Sequence, residues 1–245
     1  MTSYDSKTII ISGATGGIGR EVTPKFSEYE CNLILLHKNR STQSQQYINK
    51  LSNQKAHINE LIIDLTNPDE MNIIENLLQK KHLKVDFIIN CVGIFLPSLL
   101  SNCDISILDK TLSNNLLAPI SLIRTVFPYL ALRSTSRIIN ISSVTAKKAN
   151  IGQGIYAISK SALNTYTKCL AQELYRYKIP VNSISPGFVK TAMSEKHYTT
   201  FKNKVPFKRF ASPTEVADLV LFLTSSMADY ITGENFIIDG GFSNL

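Results

Sequence analysis

In the stretch Tyr156-Ala157-Ile158-Ser159-Lys160 a phenol and an ammonium stand four residues apart. On a helix this spacing puts both side chains on one face, within reach of a common point. A phenol ordinarily titrates near pKa 10, too high for proton transfer near neutrality, and an adjacent ammonium stabilises its ionised form. Tyr and Lys at this spacing also recur by chance on solvated helices, so the pair acquires meaning only from its surroundings. A second chemical signal lies near the start of the chain, in Ser12-Gly13-Ala14-Thr15-Gly16-Gly17-Ile18-Gly19. It follows an apolar β-rich run and opens a helical pattern, a context in which glycines let backbone approach a phosphate at a helix N-terminus. Four glycines in seven positions carry a conformational-entropy cost that packing alone seldom offsets.

The elements that must position these groups alternate along the chain. β-rich runs read at 7–12, 32–36, 58–63, 86–90, 136–141, 180–185 and 235–238, and helical patterns near 17–29, 41–53, 68–80, 105–132, 154–177 and 213–225. Asn67-Pro68-Asp69-Glu70 and Ser212-Pro213-Thr214-Glu215 each place a cap residue before a proline at the first helical position. Regular β/α alternation with strands apolar on both faces predicts an α/β fold: one Rossmann-type, doubly wound parallel sheet of about seven strands with helices on both faces. The whole of 1–245 reads as a single domain, without an internal repeat or linker. Residues 187–212, starting at Pro186-Gly187 and rich in Lys and Thr, form the least regular segment and are expected to act as a lid.

Composition narrows the function classes. With 245 residues, 44% of them hydrophobic and 18% charged, the chain suits one large domain with a sizeable core. A net charge of +7 favours an anionic partner, yet the cations are scattered or only paired (Lys80-Lys81, Lys147-Lys148, Lys208-Arg209), which argues against nucleic acid. Cys31, Cys91, Cys103 and Cys169 have no metal-ligand spacing, and no metal is expected; with Cys31, Cys91 and Cys169 in apolar runs, they read as reduced core residues of a cytoplasmic protein. Met1-Thr2-Ser3-Tyr4-Asp5-Ser6-Lys7 lacks a basic-then-apolar leader, and no apolar run approaches membrane-spanning length, so an untargeted, membrane-free protein is expected.

Taken together, the Gly-x-x-x-Gly-x-Gly spacing, Asn90-Cys91-Val92-Gly93, Ser143, Tyr156-x-x-x-Lys160, Pro186-Gly187, Ile231-Thr232-Gly233-Glu234 and Asp239-Gly240-Gly241 make the chain resemble the short-chain dehydrogenases/reductases over nearly its full length. Within them it looks closest to the 3-oxoacyl-[acyl-carrier-protein] reductases. The resemblance implies that Tyr156 protonates a carbonyl oxygen while hydride arrives from a nicotinamide, that Lys160 lowers the pKa of Tyr156, and that Ser143 holds the substrate oxygen. It further implies that Asn115 anchors a water for proton relay. Ser142 and Asn114 compete with their neighbours; spacing to Tyr156 favours Ser143, and the following Leu-Leu-Ala-Pro favours Asn115. Cofactor contacts implied in the same way fall on Gly13, Thr15, Gly17, Ile18, Gly19, Asp64, Leu65, Asn90, Gly93, Tyr156, Lys160, Pro186, Gly187, Val189 and Thr191. The family usually has Asn-Ala-Gly where this chain has Cys91-Val92 between Asn90 and Gly93, a packing variant.

Which nicotinamide is used follows from charge. Relatives selective for NAD carry an acid at the end of the second strand, where this chain reads Leu36-His37-Lys38-Asn39-Arg40. With no carboxylate there, a 2′-phosphate would meet Lys38, with Arg40 and His37 as further candidates, so NADPH/NADP+ is expected over NADH. An acidic acyl carrier protein would suit the net charge. Arg133, Arg176 and Lys178 fall near the family's docking arginines, although alignment puts Ser134 and Tyr177 on those positions. Met193, His197, Tyr198, Phe201 and Phe207 of the lid are expected to shape the substrate pocket. A homotetramer is implied by the family, through pairing of the helices matching 105–132 and 154–177. Two other readings stay open: a reductase or dehydrogenase of another small carbonyl or secondary alcohol, and a cofactor-binding protein without chemistry.

Overall fold

The computed structural model describes residues 4–130, 136–195 and 198–244; Arg133, Ser134 and His197 lie outside them. Seven strands form one parallel sheet in the order β3-β2-β1-β4-β5-β6-β7: β1 (Thr8–Ser12), β2 (Asn32–His37), β3 (His57–Ile62), β4 (Phe87–Asn90), β5 (Arg137–Ile141), β6 (Val181–Pro186) and β7 (Asn235–Ile238). Side chains alternate across the pleat, so each strand feeds two cores. Ile9 and Ile11 of β1 pack with Val22 and Phe26 of α1 (Gly19–Ser27), Ile48 and Leu51 of α2 (Thr42–Leu51) and Val220 of α8 (Pro213–Thr224). Ile10 faces the opposite layer, with Ile74 and Leu78 of α3 (Met71–Lys80), Leu122 and Val126 of α5 (Ala118–Leu130), and Leu170 and Leu174 of α6 (Gly154–Leu174).

Strand order reverses direction between β1 and β4, the place where an open α/β sheet leaves a crevice beyond its carboxyl ends. Laterally paired Ser12, Asn90 and Asn140 mark that edge. Ser12 Oγ donates to Asn90 Oδ1 (3.1 Å), Asn90 Nδ2 to Asn140 Oδ1 (2.8 Å), and Asn140 Nδ2 to Thr167 Oγ1 on α6 (2.9 Å). These side chains are buried, and each amide is satisfied by its neighbour, so the chain of bonds locks β1, β4, β5 and α6 into one register.

The helix expected over 105–132 is interrupted. It divides into α4 (Ile105–Leu112), a π-turn over Ser113–Leu117, and α5. Pro119 has no N–H to give the Asn115 carbonyl, and the Ala118 N–H bonds the Ser113 carbonyl one residue further back than in an α-helix. In α1, Pro24 likewise withholds a donor from Arg20, whose carbonyl is taken instead by the Tyr47 hydroxyl (3.1 Å). The 187–212 segment is mostly irregular, as expected, with a four-residue helix α7 (Tyr198–Phe201) inside it. Phe188 fixes that segment by stacking on Phe201 and Phe210 at centroid distances of 5.1 and 4.9 Å. Of the cysteines expected in the core, Cys31 is buried, whereas Cys169 is exposed.

Replacing Asn140 with Ala would leave the buried Asn90 Nδ2 without its acceptor, while the Thr167 hydroxyl keeps the Leu163 carbonyl. One orphaned buried group costs about 1–3 kcal/mol, so a loss of that size in urea unfolding is expected. A loss below about 1 kcal/mol would show that the strand-end bonds are incidental to stability.

Candidate active site

Tyr156 and Lys160 both emerge from the first turns of α6, at the carboxyl end of β5. They do not pair with each other as the sequence suggests. The Lys160 side chain is 3% exposed, and its ammonium donates to the Ile141 carbonyl at 3.0 Å, its one hydrogen-bond acceptor among the described residues. Two N–H donors of a buried cation are therefore left for a ligand. Burial pushes the Lys160 pKa down to about 8, partly offset by its attraction to Cys91. Burial also raises the Tyr156 phenol above its ordinary value, and a hydrogen bond with Ser143 opposes that rise. The expected lowering of Tyr156 by Lys160 is absent, because the ammonium is directed beneath the phenol to the end of β5.

Ser143 is held as the cap of a 3-10 turn over Val144–Ala146. Its Oγ accepts from the Thr145 N–H (3.2 Å) and donates to Thr145 Oγ1 (3.0 Å). Ser142 instead donates to the Lys160 carbonyl (3.1 Å), which assigns it to packing and leaves Ser143 at the phenol. Asn114 is half-buried and bonds the Lys110 carbonyl, whereas Asn115 is fully buried. Asn115 accepts from the Ile94 N–H (2.8 Å) and donates to the Ile94 carbonyl (3.0 Å) and to Ser159 Oγ (3.1 Å). Ser159 in turn donates to the Tyr156 carbonyl (2.7 Å). Both amide hydrogens of Asn115 are thus committed to the protein. The π-turn delivers Asn115 as a clasp between the loop after β4 and α6. That loop carries Phe95, whose ring meets Tyr156 edge-on at 5.1 Å. Phe95, Thr145, Ser159 and the Ile141 carbonyl escape sequence reasoning. Ser159 alone had a signal, lying three residues beyond Tyr156 on the same helical face.

The glycine loop sits above β1. Helix α1 has no side-chain cap at Ile18; the Arg20 and Glu21 N–H groups bond the Gly16 and Ile18 carbonyls, which leaves those of Gly17, Ile18 and Gly19 for a ligand. Packing explains more of the glycines than expected. Gly13 has φ +65°, and a Cβ there would lie 2.9 Å from the Cys91 carbonyl carbon; one at Gly17 would lie 2.7 Å from Thr191 Cβ. A Cβ at Gly93 would come within 3.2 Å of the Lys160 ammonium and 3.3 Å of Asn115 Oδ1. Thr15 offers its carbonyl to Arg20 Nε (2.7 Å), and Thr191 rests against the loop at Gly17. Gly187 packs on Asp239, and its N–H bonds the Ile238 carbonyl. Pro186 ends β6; Leu65 and Val189 bury their side chains in the core, and Asn90 commits its own to the sheet. A nicotinamide dinucleotide fits this set: uncapped helix donors and glycines for phosphates, and an ammonium with unspent donors for hydroxyls.

The turn after β2 differs from expectation. His37 is 5% exposed and is engaged by Glu60 Oε1 (2.9 Å) and the Asn39 carbonyl (3.1 Å), so it is not available to a phosphate. Lys38 pairs with Asp64 Oδ2 at 2.5 Å while remaining more than half exposed. Burial would raise the Asp64 carboxyl, but bonds from Lys38 and Thr66 outweigh it and hold it below its usual value. Arg40 is exposed and donates to Gln45 Oε1 (2.6 Å). In the 187–212 segment, Tyr198 and Phe201 pack against Phe210 and Phe188, whereas Met193 and Phe207 are exposed.

Lys160 makes a prediction about pH. Below pH 8 it is charged in both the folded and the unfolded chain, and the full burial penalty opposes folding. From pH 8 toward the ordinary 10.5 the folded chain has released a proton that the unfolded chain retains, so this contribution to stability rises with pH. The total is on the order of 3 kcal/mol. In urea unfolding, the stability of Lys160→Met relative to wild type should be greatest near pH 7 and decline toward pH 10. A pH-independent difference would mean that the buried ammonium is already compensated.

Comparison with known proteins adds to this geometry. A family profile described as Enoyl-(Acyl carrier protein) reductase matches residues 13–243. The 3-oxoacyl-[acyl-carrier-protein] reductase FabG of Buchnera aphidicola subsp. Acyrthosiphon pisum is 33% identical over 98% of both chains. That of Thermotoga maritima is 30% identical over 97% of this chain and 98% of its own. Among solved structures, a short-chain dehydrogenase/reductase from Serratia marcescens superposes with a TM-score of 0.90 at 24% identity, over 98% of both chains, a likeness of fold. With its crevice, its Ser143–Tyr156 pair and its buried Lys160 in the family's order, the chain belongs to the short-chain dehydrogenases/reductases, oxidoreductases that draw on a nicotinamide cofactor.

Proposed function

We propose that the protein reduces a ketone to a secondary alcohol with NADPH, and that its substrate is a 3-oxoacyl thioester carried on an acyl carrier protein. The placing of the Ser143 hydroxyl close enough to the Tyr156 phenol to oppose the rise in its pKa carries this reading. Two hydroxyls so close converge on one substrate oxygen, which is what reduction of a carbonyl needs at the reacting bond; a carbon–carbon double bond offers no such acceptor there. When bound, the nicotinamide supplies the hydride to the carbonyl carbon. For its part, Ser143 must turn its hydrogen from Thr145 Oγ1 toward the substrate oxygen, a rotation about one bond. Tyr156 Oη then gives its proton to the oxygen on which negative charge develops. The two unspent donors of Lys160 would hold cofactor hydroxyls beside the phenol. Asn115 retains one lone pair on Oδ1, on the side of Lys160, where a water can sit to return the proton.

The missing acid after β2 and the exposed ammonium of Lys38 support NADPH, although Asp64 shares that charge. Carrier docking rests on the net charge of +7 and on the names of the relatives. A cytoplasmic homotetramer accords with this reading, and among the described residues no helix is long and apolar enough to cross a membrane.

Oxidation of NADPH with acetoacetyl groups on a carrier protein and on a pantetheine-type thioester tests the proposal. Turnover is expected on both, with Tyr156→Phe reducing it roughly 10²–10⁴-fold. Arg133→Glu with Arg176→Glu should lower turnover on the carrier-bound substrate alone. Silence on both thioesters with NADPH still bound would move the substrate to other small ketones or secondary alcohols.

A further inference from the structure

Cations on the β2 side of the crevice differ in what the fold already asks of them. His37 is enclosed by Glu60 and the Asn39 carbonyl, Lys38 is paired with Asp64, and Arg40 is exposed with its Nε on Gln45. Arg20, in the first turn of α1, is half-buried and makes no ion pair among the described residues. Its guanidinium is nevertheless held at two points. Nε donates to the Thr15 carbonyl (2.7 Å), and the central carbon lies 5.3 Å from the centroid of the Tyr47 ring. The Tyr47 hydroxyl in turn donates to the Arg20 carbonyl (3.1 Å), which fixes ring and side chain to one another. Of the five N–H groups a guanidinium carries, one is spent, and those on Nη1 and Nη2 have no acceptor among the described residues. The adjoining carboxylate of Glu21 accepts instead from the Thr214 hydroxyl on α8 (3.2 Å).

The glycine loop has two sides, and they place this cation. On one, Gly13 leans on the backbone of Cys91 and Val92 after β4, and Gly93 of the same stretch borders the Lys160 ammonium. On the other, the Ala14 N–H bonds the Leu36 carbonyl at the end of β2 (3.2 Å), and Tyr47 comes from α2, the helix that follows β2. Arg20 stacks on Tyr47 and therefore belongs to the second side. A helical side chain leans toward the N-terminus of its helix, which carries the guanidinium back along the loop to Thr15 rather than down α1. A dinucleotide with its pyrophosphate at the start of α1 has its adenosine ribose at the end of β2, on this same side. The 2′ position of that ribose is where NADPH and NADH differ.

We propose that Arg20 grips the 2′-phosphate of NADPH through Nη1 and Nη2, with Lys38 supplying a neighbouring charge that it shares with Asp64. This inference rests on the NADPH reading above. A planar guanidinium fork matches two phosphate oxygens at once, whereas the ammonium of Lys38 offers a point charge already engaged by a carboxylate. Stacking on Tyr47 and the bond to Thr15 order the Arg20 side chain before a ligand arrives, so less freedom is lost on binding. A side chain that only clamped Thr15 would serve both coenzymes alike; a grip on the 2′-phosphate serves one.

Dissociation constants for NADPH and NADH, read from reduced-nicotinamide fluorescence at fixed pH and salt, separate these roles. Wild type is expected to favour NADPH. Arg20→Met keeps an apolar stem over Tyr47 and removes the charge. In it the NADH-to-NADPH ratio of dissociation constants should fall on the order of tenfold to a hundredfold, the worth of hydrogen bonds to a charged group, while NADH binding changes little. Arg20→Lys should keep only part of the preference, because it restores charge without the fork. Competition by 2′,5′-ADP should weaken in Arg20→Met by the same factor, and competition by 5′-AMP should not. A ratio unchanged in Arg20→Met, with both coenzymes weakened equally or neither weakened, overturns the assignment and leaves the NADPH reading standing. A wild-type protein that binds NADH as tightly as NADPH overturns the NADPH reading and the role of Arg20 with it.

Discussion

The site is organised around the charge of Lys160, buried with a single protein acceptor among the described residues. A cation taken out of water is tolerated only where its donors are met, and here the protein meets one of three. Its neighbours show how space was kept for the others. Gly93 has no room for a side chain beside the ammonium, and Asn115 turns its Oδ1 toward the same point. The Ser142 hydroxyl fixes the Lys160 backbone, so the ammonium is aimed from a rigid base. Strain of this electrostatic kind suits a group whose partner arrives with the ligand, and it explains why the pKa of Lys160 is depressed in the protein alone.

Around that charge, polar side chains serve structural ends that resemble ligand binding when read as sequence. Ser12, Asn90, Asn140 and Thr167 form a buried line across three strands into α6, ending beneath the crevice. The line lets polar residues sit at the strand ends of an otherwise apolar sheet. Asn115 serves the same purpose one layer away, with all its donors given to Ile94 and Ser159. The rigidity these bonds provide is what sets Phe95 against Tyr156 and Ser143 against the phenol.

Sequence periodicity was enough to read the sheet, both helical layers and the crevice, because alternation of apolar residues is a local signal. Element ends shifted by only a residue or two for most strands. The π-turn was less legible: Pro119 was visible, but only packing determines whether a missing donor kinks, ends or widens a helix. At the site, the residue types of Ser143, Asn115, Tyr156 and Lys160 were legible, and their directions were not. Tyr156 and Lys160 share a helix face, yet a long side chain chooses its acceptor from what the next strand presents, here the Ile141 carbonyl. His37 misled for the same reason. Its place beside Lys38 suggested a surface cation, while Glu60, on the neighbouring strand, draws it into the sheet.

The 187–212 segment shows how a stretch with little regular structure can still be ordered at one end. Phe188 stacks with Phe201 and Phe210 and meets Phe242 edge-on, tying the segment after β6 to the C-terminal turn. Ring packing of this kind contributes beyond simple area burial and is directional, so it restricts which part of the segment can move. Thr191 adds a second fixed point by resting on Gly17 of the glycine loop. Between these anchors Met193 and Phe207 stay exposed. Thr191, resting on Gly17, thus ties the segment after β6 to the loop at the start of α1.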